Sequence, residues 1–165
     1  MTEKHELWQS FSRAGGTLKS ELQVVDTNDF DINYYSDEIK NAILKAHLTG
    51  FISECSSITF KGSSYKKGDA VVLRQDAYQI NVQIGKIVMI LWNNDTKINF
   101  LVELLDTEYQ PTARIYKLGR PLGFECIQID KLLMYEPHHI YVKDTTSYVK
   151  LRHGPVSSPL GQSFD

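Results

Sequence analysis

The sequence predicts a mainly β chain with helices at its N-terminal end, an α+β arrangement whose strands form a small, bent antiparallel barrel. Three observations predict it. From Ile58 onward the chain divides into about eight short runs rich in Val, Ile, Phe and Tyr, separated by turn-forming residues. No amphipathic helical segment is interleaved among these runs, which argues against the βαβ units of a parallel nucleotide-binding sheet. Short consecutive strands with tight turns favour closure, because a closed sheet leaves no edge for another chain to pair with.

Residues 1–35 read as a helical or irregular lead. Glu3 to Arg13 places Leu7, Trp8 and Phe11 on one side of a short helix, and Gly15-Gly16 stops it. The acidic stretch DTNDFDIN (26–33) superficially resembles a calcium loop. Its fifth position is Phe30 and its sixth Asp31, where such a loop needs an oxygen ligand and a glycine, so the stretch reads as a solvated linker.

Residues 36–57 read as an amphipathic helix and connector packed on the barrel. Ser36 is placed to cap the helix, and Asp37 and Glu38 favour its positive end. Ile39, Ala42, Ile43 and Ala46 recur at helical spacing, and Gly50 offers the stop.

Residues 58–153 read as the barrel domain. In FKGSSYKKGDAVVL a turn at Gly62, then Tyr65 and Gly68-Asp69, leads into the strand Ala70 to Leu73. IGKIVMILW and KINFLVELL form a hairpin about Asn93-Asn94-Asp95, since Asn and Asp tolerate positive φ. Ile98, Phe100, Val102 and Leu104 share one face, with Asn99, Leu101 and Glu103 on the other, which predicts one well-buried face. ARIYKLG, FECIQI, HIYVKD and SYVKL supply later strands, and residues 154–165 read as a flexible tail.

Eighteen Lys and Arg against 20 Asp and Glu give a net charge of -2, which argues against a bulk electrostatic nucleic-acid binder. Cys55 and Cys126 stand far apart without a CxxC partner, so neither a disulfide scaffold nor a zinc site is expected. The polar opening MTEKHELWQS and the lack of a long apolar run predict an intracellular protein with no signal peptide and no membrane partner.

No GxGxxG or GxxxxGK occurs, and Ser56-Ser57, Ser63-Ser64 and Cys126 lack the context of an activated nucleophile. Catalysis and cofactors are therefore not expected. Nor is a metal, because adjacent His138 and His139 in a strand point to opposite faces; an exposed turn is the expectation there.

Two binding chemistries remain. The aromatics Tyr65, Tyr78, Trp92, Tyr109 and Tyr116 near loop mouths admit two readings, a ligand cage or ordinary core and rim packing. The cations Lys61, Lys66, Lys67 and Arg74, then Arg114, Lys117 and Arg120, then Lys143, Lys150 and Arg152, are interleaved with Tyr116 and Tyr148. That is how single-strand binders combine stacking with backbone charge, while solvated lysines protecting sheet edges are the plainer alternative.

The lead-in Tyr65, Gly68, Asp69 and Val71, the run Ile84, Gly85, Lys86 and Ile87, and the strand Asn99 to Leu105 together resemble the first half of a bromo-adjacent homology (BAH) domain. The match covers roughly residues 58–105, and small Tudor-type barrels share the pattern. The second half departs from that family, lacking the acidic, aromatic-rich segment after the third strand. The stretch LMYEPHHIYVKDTTSYVKLRHGPV is instead similar in cadence to terminal domains of transposase-like animal proteins. The resemblance implies a non-enzymatic reader or adaptor in the nucleus that binds a chromatin-associated protein or peptide, such as a histone tail. A nucleic-acid-binding barrel in a transposon-derived protein is the second choice.

Overall fold

The computed structural model describes residues 22–48, 50–75, 81–93 and 98–151. The expected helix at Glu3 to Arg13, Tyr78, the Asn94-Asp95 turn, Arg152 and the tail lie outside the described residues.

The described chain is mainly β. In order it forms β1 (Leu22–Val25), β2 (Asn28–Asp29), a 3-10 turn (Ile32–Tyr34), α1 (Asp37–Lys45), β3 (Ile52–Cys55), β4 (Ser57–Phe60), β5 (Ser63–Lys66) and β6 (Ala70–Gln75). The long strands β7 (Val82–Asn93), β8 (Ile98–Gln110) and β9 (Ile115–Gln128) follow, then a second 3-10 turn (Ile129–Lys131), β10 (Ile140–Lys143) and β11 (Thr146–Val149). All pairings between these strands are antiparallel.

The strands do not close into a barrel. They form a three-stranded sheet, β1-β4-β5, and an eight-stranded sheet, β10-β11-β9-β8-β7-β3-β2, with β6 alongside β7. The reason is strand length. The runs ARIYKLG and FECIQI are one strand of 14 residues, β9. It passes through Pro121 where the β8–β9 register shifts between Leu104 and Thr107. A proline gives no amide to a ladder, so an irregularity is where a strand tolerates one. β7 is long enough that β6 pairs its first half, Val82 to Lys86, and β3 its second half, Ile90 to Asn93.

Three apolar clusters hold these layers. In the first, Leu22, Val24, Ile58 and Tyr65 of the small sheet pack on Val71, Leu73, Ile87, Ile90, Phe100 and Val102 of the large one. In the second, Val72, Ile84, Leu105, Tyr116, Leu118 and Val149 fill the other end of the large sheet. In the third, Ala42 and Ile43 of α1 cover Met89, Leu91, Leu101 and Cys126. The expected stripe of Ile98, Phe100, Val102 and Leu104 does line the first cluster. The opposite face of β8 is buried as well, because α1 lies on Leu101. Alternation in sequence cannot show that second cover, since Asn99 reads as outward although it is 2% exposed.

Residues 22–35 are not merely a helical or irregular lead. β1 pairs β4 in the register Leu22↔Phe60 and Val24↔Ile58. The acidic stretch read as a linker contributes β2, which pairs β3, and Asp31 accepts from the Asn33 amide to cap the following turn. α1 forms where expected, but Ser36 makes no side-chain cap bond and the helix ends early, with His47 at φ 56.

Two hairpins turn on residue pairs with positive φ, Lys61 (50) with Gly62 (82), and Asp144 (51) with Thr145 (67). That geometry follows the right-handed strand twist and suits Asn, Asp and Gly, whereas a β-branched residue is strained there. Thr145→Gly is therefore expected to raise stability by about 1 kcal/mol, read as a higher melting temperature. An unchanged or lower melting temperature would show that Thr145 carries no such strain.

Candidate functional site

Of the aromatics that could form a cage or pack the core and rim, the four described ones, Tyr65, Trp92, Tyr109 and Tyr116, divide between two core clusters. Tyr65 is 1% exposed and packs its ring on Phe100, with centroids 5.0 Å apart. Burial pushes its phenol up to about 12, and the nearby Glu136 carboxylate acts in the same direction. Trp92 is half-buried against the same cluster. Tyr109 and Tyr116 form a separate pair, 5.0 Å between centroids, in the second cluster. Tyr65, Trp92 and Tyr116 thus serve the interior, because alternation in β5, β7 and β9 turns them inward.

A different pair of rings meets a cation. Phe60 ends β4 on the face of the small sheet that bears Ile58, and packs at the margin of the first cluster. Tyr135 arrives from the segment after β9, which pairs along the outer side of β6. Leu133 donates its amide to the Val72 carbonyl at 3.0 Å, and His138 and Ala70 exchange two backbone bonds of 2.8 Å. The Lys61 ammonium lies 5.2 Å from the Phe60 centroid and 5.5 Å from that of Tyr135. Both separations fall within the reach of cation–π attraction, about 6 Å. Tyr135 stays 44% exposed. The clamp is open to solvent.

Sequence reasoning placed Lys61 in a basic cluster and overlooked Phe60 and Tyr135. Tyr135-Glu136-Pro137, an aromatic beside a proline in irregular backbone, was the available signal. Nothing local ties it to Phe60.

Two cations of the first basic group are held in ion pairs. Lys67 bonds Glu54 at 2.6 Å, and Arg74 bonds Glu125 at 2.6 Å. Lys66 points to solvent at the end of β5, and Arg114 takes φ 56 in the turn between β8 and β9. Lys117 and Arg120 are exposed on β9. Arg74 also lines a cleft of about 370 Å³ with Asn81 and Asp106. Two further polar groups of its lining bond the backbone: the Gln83 amide donates to the Leu105 carbonyl, and the Thr107 hydroxyl to the Val82 carbonyl. Such groups brace strands.

Both thiols are buried, and burial pushes Cys55 and Cys126 up to about 12, which keeps them protonated and poorly nucleophilic at neutral pH. His138 is 6% exposed and held by Ala70, unlike the exposed turn expected, while His139 sets its ring against Tyr141 at 4.7 Å. Among the described residues no group of three or more His, Cys, Asp or Glu gathers as a metal site, and no helix is long and apolar enough to cross a membrane. Comparison of the chain with protein-family models, with curated proteins and with solved structures finds no match.

Proposed function

We propose that the chain is a non-enzymatic protein-interaction module, a reader or adaptor that receives an ammonium-bearing side chain of a partner peptide between Phe60 and Tyr135. The observation that carries this reading is the position of Lys61, whose own ammonium rests against both rings. A surface that holds one ammonium by ring quadrupoles can hold another, and a methylated one loses less hydration on entering. Glu136, whose charge acts on the neighbouring Tyr65, adds negative potential near the clamp. In this reading Lys61 is a resident competitor that a partner must displace. The resemblance of residues 58–105 to a BAH domain favours a nuclear partner, a chromatin-associated protein or histone tail among them.

The test is calorimetric titration with lysine peptides in unmodified and trimethylated forms. Trimethylated peptide is expected to bind more tightly, and Lys61→Ala to strengthen binding by vacating the clamp. Tyr135→Ala, at an exposed ring, is expected to weaken it by about 0.5–2 kcal/mol. Failure of the Lys61→Ala variant to bind either peptide would sink the proposal.

A further inference from the structure

The sheet end formed by β9, β11 and β10 turns one side to the second core cluster and the other to solvent. Ile140, Val149, Tyr116 and Leu118 face inward. By the twofold alternation of strands, the residues between them face outward. The register places Tyr141 opposite Tyr148, and Tyr148 opposite Lys117. Lys143 lies two residues along β10 from Tyr141, and Lys150 two residues beyond Tyr148. The outward face therefore carries two tyrosine rings on adjacent strands with three lysines around them. Tyr141 is 57% exposed, and its ring is braced by His139 at 4.7 Å. The three lysines are exposed and take part in neither the Lys67–Glu54 nor the Arg74–Glu125 ion pair. The acidic residues nearest this row are Glu108, opposite Lys117 on β8, and Asp106, which lies against Gly119 two residues further along β9. The sequence groups Lys117 with Arg114 and Arg120, and Lys143 with Lys150. Pairing of β9 with β11 joins the two groups around Tyr148.

We infer that this outward face of β9, β11 and β10 is a stacking platform for single-stranded nucleic acid, built from residues other than those of the Phe60–Tyr135 clamp. Facing residues on neighbouring strands have their Cβ atoms about 5 Å apart, so Tyr141 and the partly exposed Tyr148 stand side by side where successive unpaired bases can rest on them. Lysines at the margin then meet the phosphates that flank those bases. An acidic peptide would satisfy the lysines but leave both rings unused. A duplex would reach the lysines but keep its base faces stacked internally. Unpaired bases on a charged backbone use both sets of groups. This local arrangement is compatible with a net charge of -2 because steering depends on the face presented, not on the sum.

Fluorescence anisotropy with a labelled single-stranded oligouridylate tests the inference on the full chain. Binding is expected at low salt, with log K falling against log salt at a slope of about -2 for three lysine–phosphate contacts on a single strand. Tyr141→Ala and Tyr148→Ala should each weaken binding about tenfold, while Tyr141→Phe, which keeps the ring, should hold it within about twofold. Replacing Lys117 and Lys143 together by Gln should flatten the slope to about -0.7. Lysine-peptide binding at the clamp should be unchanged by these variants, so that the two sites fail or succeed separately. No oligouridylate binding at about 50 mM salt would overturn the inference. So would equal affinity for a duplex of the same length, binding indifferent to both alanine variants, or displacement of the oligomer by an equimolar polyglutamate.

Discussion

Tyr65→Ala is expected to lower stability by about 3–5 kcal/mol, the cost of emptying a large aromatic site in a packed core. Tyr65 is 1% exposed, sits opposite Ile58 in the small sheet and meets Phe100 of the large one, so its loss opens a cavity between the two sheets. Urea denaturation should show a much lower midpoint with little change in slope. A loss under 1 kcal/mol would mean that the sheets do not close on this ring. Tyr65→Phe keeps the ring and reports on the hydroxyl. The folded phenol is raised to about 12 from 10, so the folded state holds the proton more tightly. That contribution is fully present below pH 10 and is lost as pH rises from 10 towards 12. The alkaline fall in stability should therefore be smaller in Tyr65→Phe. Because Tyr65→Ala disturbs folding, it cannot report on ligand binding. Tyr135→Ala can.

Gly85→Ala is expected to cost about 1–3 kcal/mol through overpacking. A methyl at Gly85 would lie 2.8 Å from both Cβ and Cγ2 of Val102 and 3.1 Å from the Leu73 side chain. Gly85 and Leu104 are partners in the β7–β8 ladder, and Val71 lies across from Gly85 in β6. The methyl has no free direction within a sheet bonded on both sides. Its expected readouts are a lower denaturation midpoint and faster amide exchange in β6 and β7. Unchanged stability would show that β6 and β8 yield more easily than a packed core does. The contrast is Gly68, which has open space around it but φ +95, so a side chain there meets backbone strain alone.

The strand runs after Ile58 and the helix Asp37–Lys45 were legible because period-two and helical periodicity are local properties of the chain. The inward stripe on β8 was legible for the same reason. Closure was not, because nothing in a run of apolar residues says which partner shares its edge. β9 illustrates this: Pro121 and Gly123 look like a break between two strands, yet Gly123 at φ 125 and the register shifts carry one strand through. The inward turn of Tyr65 and Tyr116 was half legible, since core packing was one of the two readings their sequence allowed.

From the sequence alone came a chain of antiparallel strands, a helix beginning after Ser36 and carrying Ile39, Ala42 and Ile43 on one face, and tight turns at Gly62 and Gly68-Asp69. Each follows from propensity and backbone sterics among near neighbours. Tertiary structure alone decided that β1 completes the small sheet and that β3 and β6 divide the edge of β7. It likewise brought Phe60 and Tyr135 to the same ammonium, and set Tyr141, Tyr148 and Lys117 in one outward row. These are pairings of distant segments, chosen by which apolar faces can be buried together and which backbone groups remain to be bonded.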